Sequence, residues 1–431
     1  MKTGRRQIAL AVALAFGGMA GGVAHGSGFQ LMEQNASGLG NAYAGQAAAA
    51  ENAGTIFFNP AGMTRLPGRQ VSGALNAISP STKFSDSGAS RSPTGLPLGP
   101  GGTNGGDAGD WAFAPNVYLS WQIAPDWWVG LGATAPFGLK TEYDTTFIGR
   151  FQSQRSEIKT IDINPSVAFK VNDAFSLGGG ISYQKGELKL DRSTFLGVEA
   201  RTQLRLDDDA WGFNLGAMAF VGPNTRIGLS YRSSVEYDLT GTSVVTGVPF
   251  VGTAVNGVAA SVKLPDTISW GIAHQASPAW ELLGDITYTR WSKIKTVPFI
   301  ATTSSVLRPQ GQPLDTFNLQ FKDSYRIGIG ANYKWRDDFT WKFGVAYDKS
   351  PVKDEFRTTF LPDNDRTWLA VGGKYRMSKQ ATLDFGYAHL FVKDASINQQ
   401  RGIGALGAQG NVVGNYEADV NIVSVQFTYS F

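Results

Sequence analysis

The chain has 431 residues, among them 53 glycines and no cysteine; 42% are hydrophobic, 12% aromatic and 17% charged, and the net charge is +3. The missing cysteine excludes a disulfide-stapled scaffold, and the hydrophobic share with so little net charge excludes a disordered chain. A polytopic helical membrane protein would repeat apolar runs of about 20 residues, whereas the only long apolar run lies at the extreme N-terminus.

The first element has the three-part layout of a secretory signal. Lys2, Arg5 and Arg6 are basic, Ile8 to Phe16 are apolar, and Ala24-His25-Gly26 has a small-x-small pattern. The apolar stretch is too short to span a bilayer, so residues 1–26 are expected to be cleaved rather than to act as an anchor. This segment holds three basic residues and no acidic one, so 38 less 3 leaves 35 Lys/Arg against 35 Asp/Glu. A neutral exported chain has no basic field for nucleic acid.

Residues 27–69 do not alternate. They are rich in small residues, with an alanine run and then Asn59-Pro60-Ala61-Gly62-Met63. So few core residues cannot fold alone.

From residue 70 onward apolar and polar residues alternate, the mark of strands with two unlike faces. The predicted strands are 70–79, 112–122, 127–134, 158–171, 175–191, 208–221, 226–240, 260–274, 280–295, 319–334, 340–349, 366–377, 381–396 and 416–431. In the last, Val423, Val425, Phe427, Tyr429 and Phe431 share one parity, and Ser424, Gln426, Thr428 and Ser430 the other.

Short turns recur at every second connection: Ala124-Pro125-Asp126, Asn172-Asp173-Ala174, Gly222-Pro223-Asn224-Thr225, Ala276-Ser277-Pro278, Arg336-Asp337-Asp338 and Ser378-Lys379-Gln380. The others are longer; residues 80–111 form the longest, and 192–207 read as a loop. An even strand count with this loop asymmetry describes an outer-membrane barrel. The competing architecture is a soluble sandwich or propeller, because parity alone does not say which face points outward. Trp127-Trp128, Trp280, Trp291, Trp335 and Trp341 near strand ends suit interfacial girdles. The polar parity, rich in Gly, Ser, Thr and Asn, is poor material for a dry core.

The chain therefore reads as all-β: a transmembrane antiparallel β-barrel of about 14 strands over residues 70–431, in the bacterial outer membrane. A lumen of that size needs a plug or a ligand, and residues 27–69 are the candidate plug; a periplasmic tail and a small accessory domain are the alternatives. The terminal Phe431 resembles an assembly signal, so the barrel assembly machinery and outer-membrane lipid are expected partners of a monomer.

Several stretches resemble the FadL/TodX family of outer-membrane transporters of long-chain fatty acids and other hydrophobic compounds. Gly28-Phe29-Gln30-Leu31, Ser37-Gly38-Leu39-Gly40, Ala42-Tyr43 and Asn59-Pro60-Ala61 look like its hatch. Trp211-Gly212-Phe213, Ser230-Tyr231-Arg232-Ser233, Leu264-Pro265-Asp266, Phe321-Lys322-Asp323-Ser324-Tyr325-Arg326 and Pro362-Asp363-Asn364-Asp365-Arg366 follow in family order. The resemblance implies a fourteen-stranded barrel. It also implies an interior ligand site beside the hatch N-terminus and lateral release at a kinked third strand. It assigns Phe29 and Arg192 to that site, Asn59, Pro60 and Ala61 to the hatch turn, Pro136 and Gly138 to the kink, and Gly216 to the facing wall. Parity supports Arg192 independently. Counting from Phe175, Leu188, Leu190 and Arg192 face the lumen, an apolar lining ending in a guanidinium that suits a carboxylate with a tail. The second basic residue of the family's interior site, a lysine, has no counterpart. The loop from about 192 to 207 is short where better-known members have a long one that helps form a capture groove.

Other functions find little support. His25 leaves with the signal, and His274 and His389 lack metal-ligand spacing, so no metal, cofactor or catalytic residue is expected. Gly402-Ile403-Gly404-Ala405-Leu406-Gly407 fits a dinucleotide fingerprint without its helix, and Asp207-Asp208-Asp209 reads as a solvated charge run. A general diffusion porin for polar solutes should have a polar lumen throughout, yet Met218, Phe220, Leu283, Trp291 and Trp368 fall on the lumen parity. A barrel enzyme acting on lipid would need one of the two strand histidines.

Overall fold

The computed structural model describes residues 27–97 and 102–431, so the expected signal lies outside the described residues. Its strands run β1 (Arg69–Asp86), β2 (Ala112–Ala124), β3 (Trp127–Thr134), β4 (Gly138–Glu142), β5 (Arg155–Asn172), β6 (Phe175–Phe195) and β7 (Glu199–Val221). Then come β8 (Thr225–Arg232), β9 (Val235–Val248), β10 (Gly252–Leu264), β11 (Thr267–Gln275), β12 (Trp280–Thr289), β13 (Thr296–Ala301) and β14 (Pro313–Asn318). The last are β15 (Ser324–Arg336), β16 (Phe339–Asp348), β17 (Arg366–Arg376), β18 (Ala381–Val392), β19 (Ala395–Gln400) and β20 (Asn411–Ser430).

Several are consecutive pieces of one strand. β3 and β4 both pair with β5, β8 and β9 both with β7, and β18 and β19 both with β20. The result is a closed antiparallel barrel of 14 strands. Closure is made by β1, which pairs with β2 from Arg69–Trp121 to Ile78–Ala112 and with β20 from Gln70–Ser430 to Asp86–Gly414. All six expected short turns lie between paired strands. Both ends of the barrel chain meet on that side, where Phe431 N donates to Arg69 O at 2.9 Å.

The structure decides which face points where. On β20 Ser424, Gln426 and Thr428 are buried, while Val423, Val425 and Phe427 are exposed. On β16 Lys342 and Ala346 are buried, while Phe343, Val345 and Tyr347 are exposed. A soluble sandwich has the opposite arrangement. An apolar outer band with a polar interior is the arrangement of a barrel in lipid, and Trp127, Trp280, Trp335 and Trp341 are exposed on it.

Several boundaries differ from the sequence reading. The strand expected at 226–240 is broken at Ser233, whose Oγ accepts from Phe213 N at 2.9 Å. Its neighbour, expected at 260–274, is broken opposite, at Pro265-Asp266, where proline cannot donate to a ladder. Strand 280–295 ends at Thr289, and 319–334 begins only at Ser324. Residues 192–207 are not a loop: β6 and β7 continue as a long hairpin, paired up to Phe195–Glu199. Trp128 and Trp291 do not belong to the girdles. Both are buried, and Trp128 Nε1 donates to Leu66 O at 2.8 Å.

Residues 27–66 form only short helical turns: Leu39–Asn41, Gln46–Ala49, Thr55–Phe58 and Pro60–Arg65. Their backbone groups need partners from elsewhere, and strands from well-separated parts of the sheet supply them. Asn76 and Asn116 donate to Glu33 O (2.8 and 2.9 Å), Tyr118 to Gln34 O (2.7 Å), Arg232 to Phe57 O (3.1 Å) and Lys342 to Ser37 O (2.7 Å). The Asn41 side chain donates in turn to Ala331 O and Phe343 O (3.1 and 3.2 Å). Glu51 adds ion pairs to Lys342 and Lys374, both at 2.8 Å.

The fit is close enough to require glycine in the wall. A Cβ at Gly344 on β16 would overlap the Asn41 carbonyl group. Gly344→Val is expected to destabilise the seated segment by roughly 1–3 kcal/mol, as overpacking does. In limited proteolysis of the detergent-solubilised protein, cuts within residues 27–68 should then precede cuts in the barrel. A wild-type cutting pattern would contradict the close fit.

Candidate functional site

The site begins at a break in the wall. β3 stops at Thr134, and Ala135-Pro136-Phe137 precede β4. Pro136 has no N–H to continue a ladder. Pairing of β2 with β3 starts at Val117–Ala133, and among the described residues no ladder joins β4 to β2. Here Gln30 of the N-terminal segment forms an isolated antiparallel bridge with Phe137. Leu31 N donates to Pro136 O, Gly138 N to Phe29 O and Gln34 Nε2 to Ala135 O, each at 2.9 Å. On the other side Thr160 Oγ1 accepts from Phe137 N at 2.9 Å and donates to Phe137 O at 2.8 Å. Pro136, Gly138 and Phe29 thus meet.

Phe29 also lines a cavity. Its ring lies 4.8 Å from that of Trp291, edge on, and 6.0 Å from Phe137. The cavity beside it, about 90 Å³, is bounded chiefly by apolar side chains, including Leu188, Leu190, Leu239 and Phe299. An engineered apolar cavity of ~150 Å³ holds a benzene, so a long alkyl chain would have to displace part of this lining. Phe29, Leu188 and Leu190 come together as the sequence suggested.

Arg192 lies at one end. It lines a smaller adjoining cavity of about 40 Å³ that shares Ser156, Leu190, Phe299, Phe317 and Phe360 with the first. The guanidinium is not free: Nη1 is 3.3 Å from Asp315 Oδ2. The other Asp315 oxygen pairs with Arg401. Burial alone would raise the Asp315 carboxyl, but Arg192 and Arg401 outweigh it and hold it below the ordinary carboxylate range. Neither Asp315 nor Arg401 was singled out from the sequence. They are 86 residues apart and carry no local pattern.

The remaining assigned residues sit elsewhere. Asn59 N-caps the Pro60–Arg65 turn, its side chain accepting from Ala61 N at 3.1 Å. Proline at the first helical position suits that geometry. Asn59 Nδ2 donates to Ala47 O at 2.7 Å and Ala217 O at 3.0 Å. Gly216 stands beside Asn59 and Pro60 of the N-terminal segment. It lies on β7, where a Cβ would overlap the Asn59 side chain, so its lack of a side chain makes room for the Asn-Pro turn. Met218, Leu283, Trp291 and Trp368 are buried on the inner side, as parity implied.

The short-turn end of the barrel is different. Below the N-terminal segment lies a cavity of about 690 Å³ bordered by Glu51, Arg65, Arg226, Lys342, Lys374 and Asp384. Among the described residues no group of His, Cys, Asp and Glu could hold a metal ion.

Residues 18–431 match the family model described as "Outer membrane protein transport protein (OMPP1/FadL/TodX)". The chain belongs to this family. It is 28% identical to the long-chain fatty acid transport protein of Escherichia coli K12, over 91% of this chain and 93% of that one. It is 27% identical to outer membrane protein P1 of Haemophilus influenzae, over 98% of both. Among solved structures, a Pseudomonas aeruginosa FadL homologue superposes with a TM-score of 0.83 at 23% identity, covering 94% of this chain and 100% of that one. The Ralstonia pickettii toluene transporter TbuX gives 0.65 at 19% identity, over 93% and 100%. Membership in the FadL/TodX family makes this barrel an outer-membrane transport protein and leaves the general-porin reading unsupported.

Thr160 holds the break from the wall side. Thr160→Val keeps its shape and removes both side-chain bonds to Phe137. Amide hydrogen exchange at Phe137 and Gly138 should accelerate roughly tenfold, as loss of about 1–2 kcal/mol of local protection implies. Unchanged exchange would show that the main-chain bonds of Phe29, Leu31 and Thr160 hold the segment without the Thr160 side chain.

Proposed function

We propose that the protein takes up hydrophobic compounds from outside the cell and binds them in the apolar cavity beside Phe29. It releases them sideways through the break between β3 and β4. One observation carries this reading: Phe29 borders the cavity with its ring while its carbonyl bonds to Gly138 at the break. A ligand that displaces Phe29 therefore acts on the place where the wall is not laddered.

In this reading Leu188 and Leu190 contact the ligand chain and Arg192 its head. Residues 27–69 act as the hatch, fastened by Asn59, Pro60 and Ala61, and Pro136 and Gly138 form the lateral gate. Gly216 serves the gate only indirectly, by seating the hatch turn. A long-chain fatty acid is the favoured ligand, supported by Arg192 at the cavity end and by the fatty-acid transport relatives. Aromatic hydrocarbons are the second reading, which the small cavity volume favours. The protein works as a monomer without enzymatic activity, surrounded by outer-membrane lipid and inserted by the barrel assembly machinery acting on Phe431.

Arg192→Ala should weaken binding of dodecanoate by roughly tenfold to a hundredfold, the range of a charge-assisted bond of ~1.5–3 kcal/mol. Dodecanol should bind nearly as before. Equal loss for both ligands, measured by titration of the detergent-solubilised protein, would refute the pairing. Rapid sugar permeation through liposomes carrying the intact protein would refute the uptake reading as a whole.

A further inference from the structure

The guanidinium of Arg192 already has an anion of the protein's own beside it. The β13–β14 hairpin carries Asp315 into the cavity mouth, where its side chain is 12% exposed. Asp315 Oδ2 is 3.3 Å from Arg192 Nη1 and accepts from Gln409 Nε2 at 3.2 Å. Oδ1 pairs with Arg401 Nη2 and accepts from Thr316 N at 2.7 Å. Arg401 is fixed in turn, Nη1 donating to Thr316 O at 3.1 Å and Nε to Gln409 Oε1 at 3.0 Å. Both oxygens of the carboxylate are thus engaged, one with Arg192, which borders the cavity, and the other with Arg401 behind it.

We propose that Asp315 is a tethered competitor for the headgroup position, and that it sets how strongly the site prefers carboxylates over neutral ligands. The inference rests on the uptake function proposed above. A carboxylate ligand reaching Arg192 must displace Asp315 or lie beside it, and two carboxylates in one partly buried site repel each other. A neutral ligand meets neither cost. In the empty site Asp315 keeps the Arg192 guanidinium from standing without a counter-ion, which is costly under burial. When a carboxylate ligand leaves, Asp315 can return, so Arg192 never has to be stripped bare for release.

The hairpin is anchored to β10 away from Asp315. It ladders at Val258–Ala301 and Ala259–Ile300, and its tip bonds Asn256 and Gly257 through Thr302, Thr303, Ser305 and Arg308. It also supplies Val297, Phe299 and Phe317 to the apolar cavity. One element therefore touches both the proposed head and tail positions of a ligand.

The test compares dodecanoate and dodecanol binding to the full mature protein in detergent. The variants are Asp315→Asn, Asp315→Ala, Asp315→Glu and the double variant Asp315→Asn/Arg192→Ala. Removing the charge should tighten dodecanoate binding roughly tenfold and leave dodecanol within about twofold. Asp315→Glu should behave like the wild type, and adding Arg192→Ala should abolish the gain. Asparagine and alanine are read separately, so a folding defect in one leaves the other informative. An unchanged ratio of the two affinities, equal tightening of both ligands, or a gain that survives loss of Arg192 would each overturn the proposal. If wild-type protein binds neither ligand, the uptake reading itself has failed, which is a different result from failure of Asp315 to compete.

Discussion

Asn76, Asn116, Tyr118, Trp128, Arg232 and Lys342 each direct a side-chain N–H or O–H from the barrel wall at a main-chain carbonyl of the N-terminal segment. The segment has helical turns of three to six residues, too short to satisfy their own ends. Each buried carbonyl left without a donor would cost about 1–3 kcal/mol. The polar parity of the strands supplies those donors, and the segment in turn fills an interior that fourteen strands leave too wide for side chains alone. The inversion of polarity across the wall, the glycine opposite Asn41 and the buried Lys342–Glu51 pair all follow from that mutual need.

The same dependence links the segment to the break in the wall. At Pro136 the ladder loses a donor, and the missing bonds are made inward, to Phe29 and Leu31. The bridge between Gln30 and Phe137 lies next to Phe29, whose ring borders the apolar cavity. Displacement of Phe29 by a chain in that cavity would disturb the Gly138–Phe29 bond, because ring and carbonyl belong to one residue. Thr160 bonds the other side of Phe137 and would keep that edge in place. The geometry therefore separates a part that can yield from a part that stays.

Much of the barrel is legible in the sequence because strand periodicity is local. The six short turns, the strand count and the inward direction of Arg192, seventeen residues along from the outward-facing Phe175, all follow from counting by two. What period two does not give is which face is wet, since the pattern survives exchange of inside and outside. It also misses interruptions imposed by neighbours. Ser233 and Pro265-Asp266 break adjacent strands side by side, and β6 and β7 remain paired far beyond the lipid-facing stretch, where charged residues hide the alternation. Trp128 and Trp291 look like girdle residues because both stand near strand ends. Only their partners, Leu66 O for one and the Phe29 and Phe137 rings for the other, show that they point inward. The Asp315–Arg401 pair was illegible for a further reason. Its members lie in long connections without periodicity, and only folding brings them to Arg192.

The two ends of the interior set opposite conditions for a ligand. The site beside Phe29 is bounded by apolar side chains, whereas the larger space below the N-terminal segment is bordered by Arg65, Arg226, Lys374 and Glu51. An alkyl chain moving down would lose about 0.8 kcal/mol for each methylene transferred from an apolar to an aqueous surrounding. For a chain of a dozen carbons that sum is about 9 kcal/mol, as large as the free energy of a sub-micromolar complex. A sideways path through the wall ends in hydrocarbon and carries no such penalty for the tail; only the head must shed its partner. If Arg192 holds that head, the cost concentrates on one ion pair, and a protein carboxylate able to take over that pair as the ligand departs lowers it. The polar lower chamber, the apolar cavity and the shared arginine thus favour the same lateral direction of release.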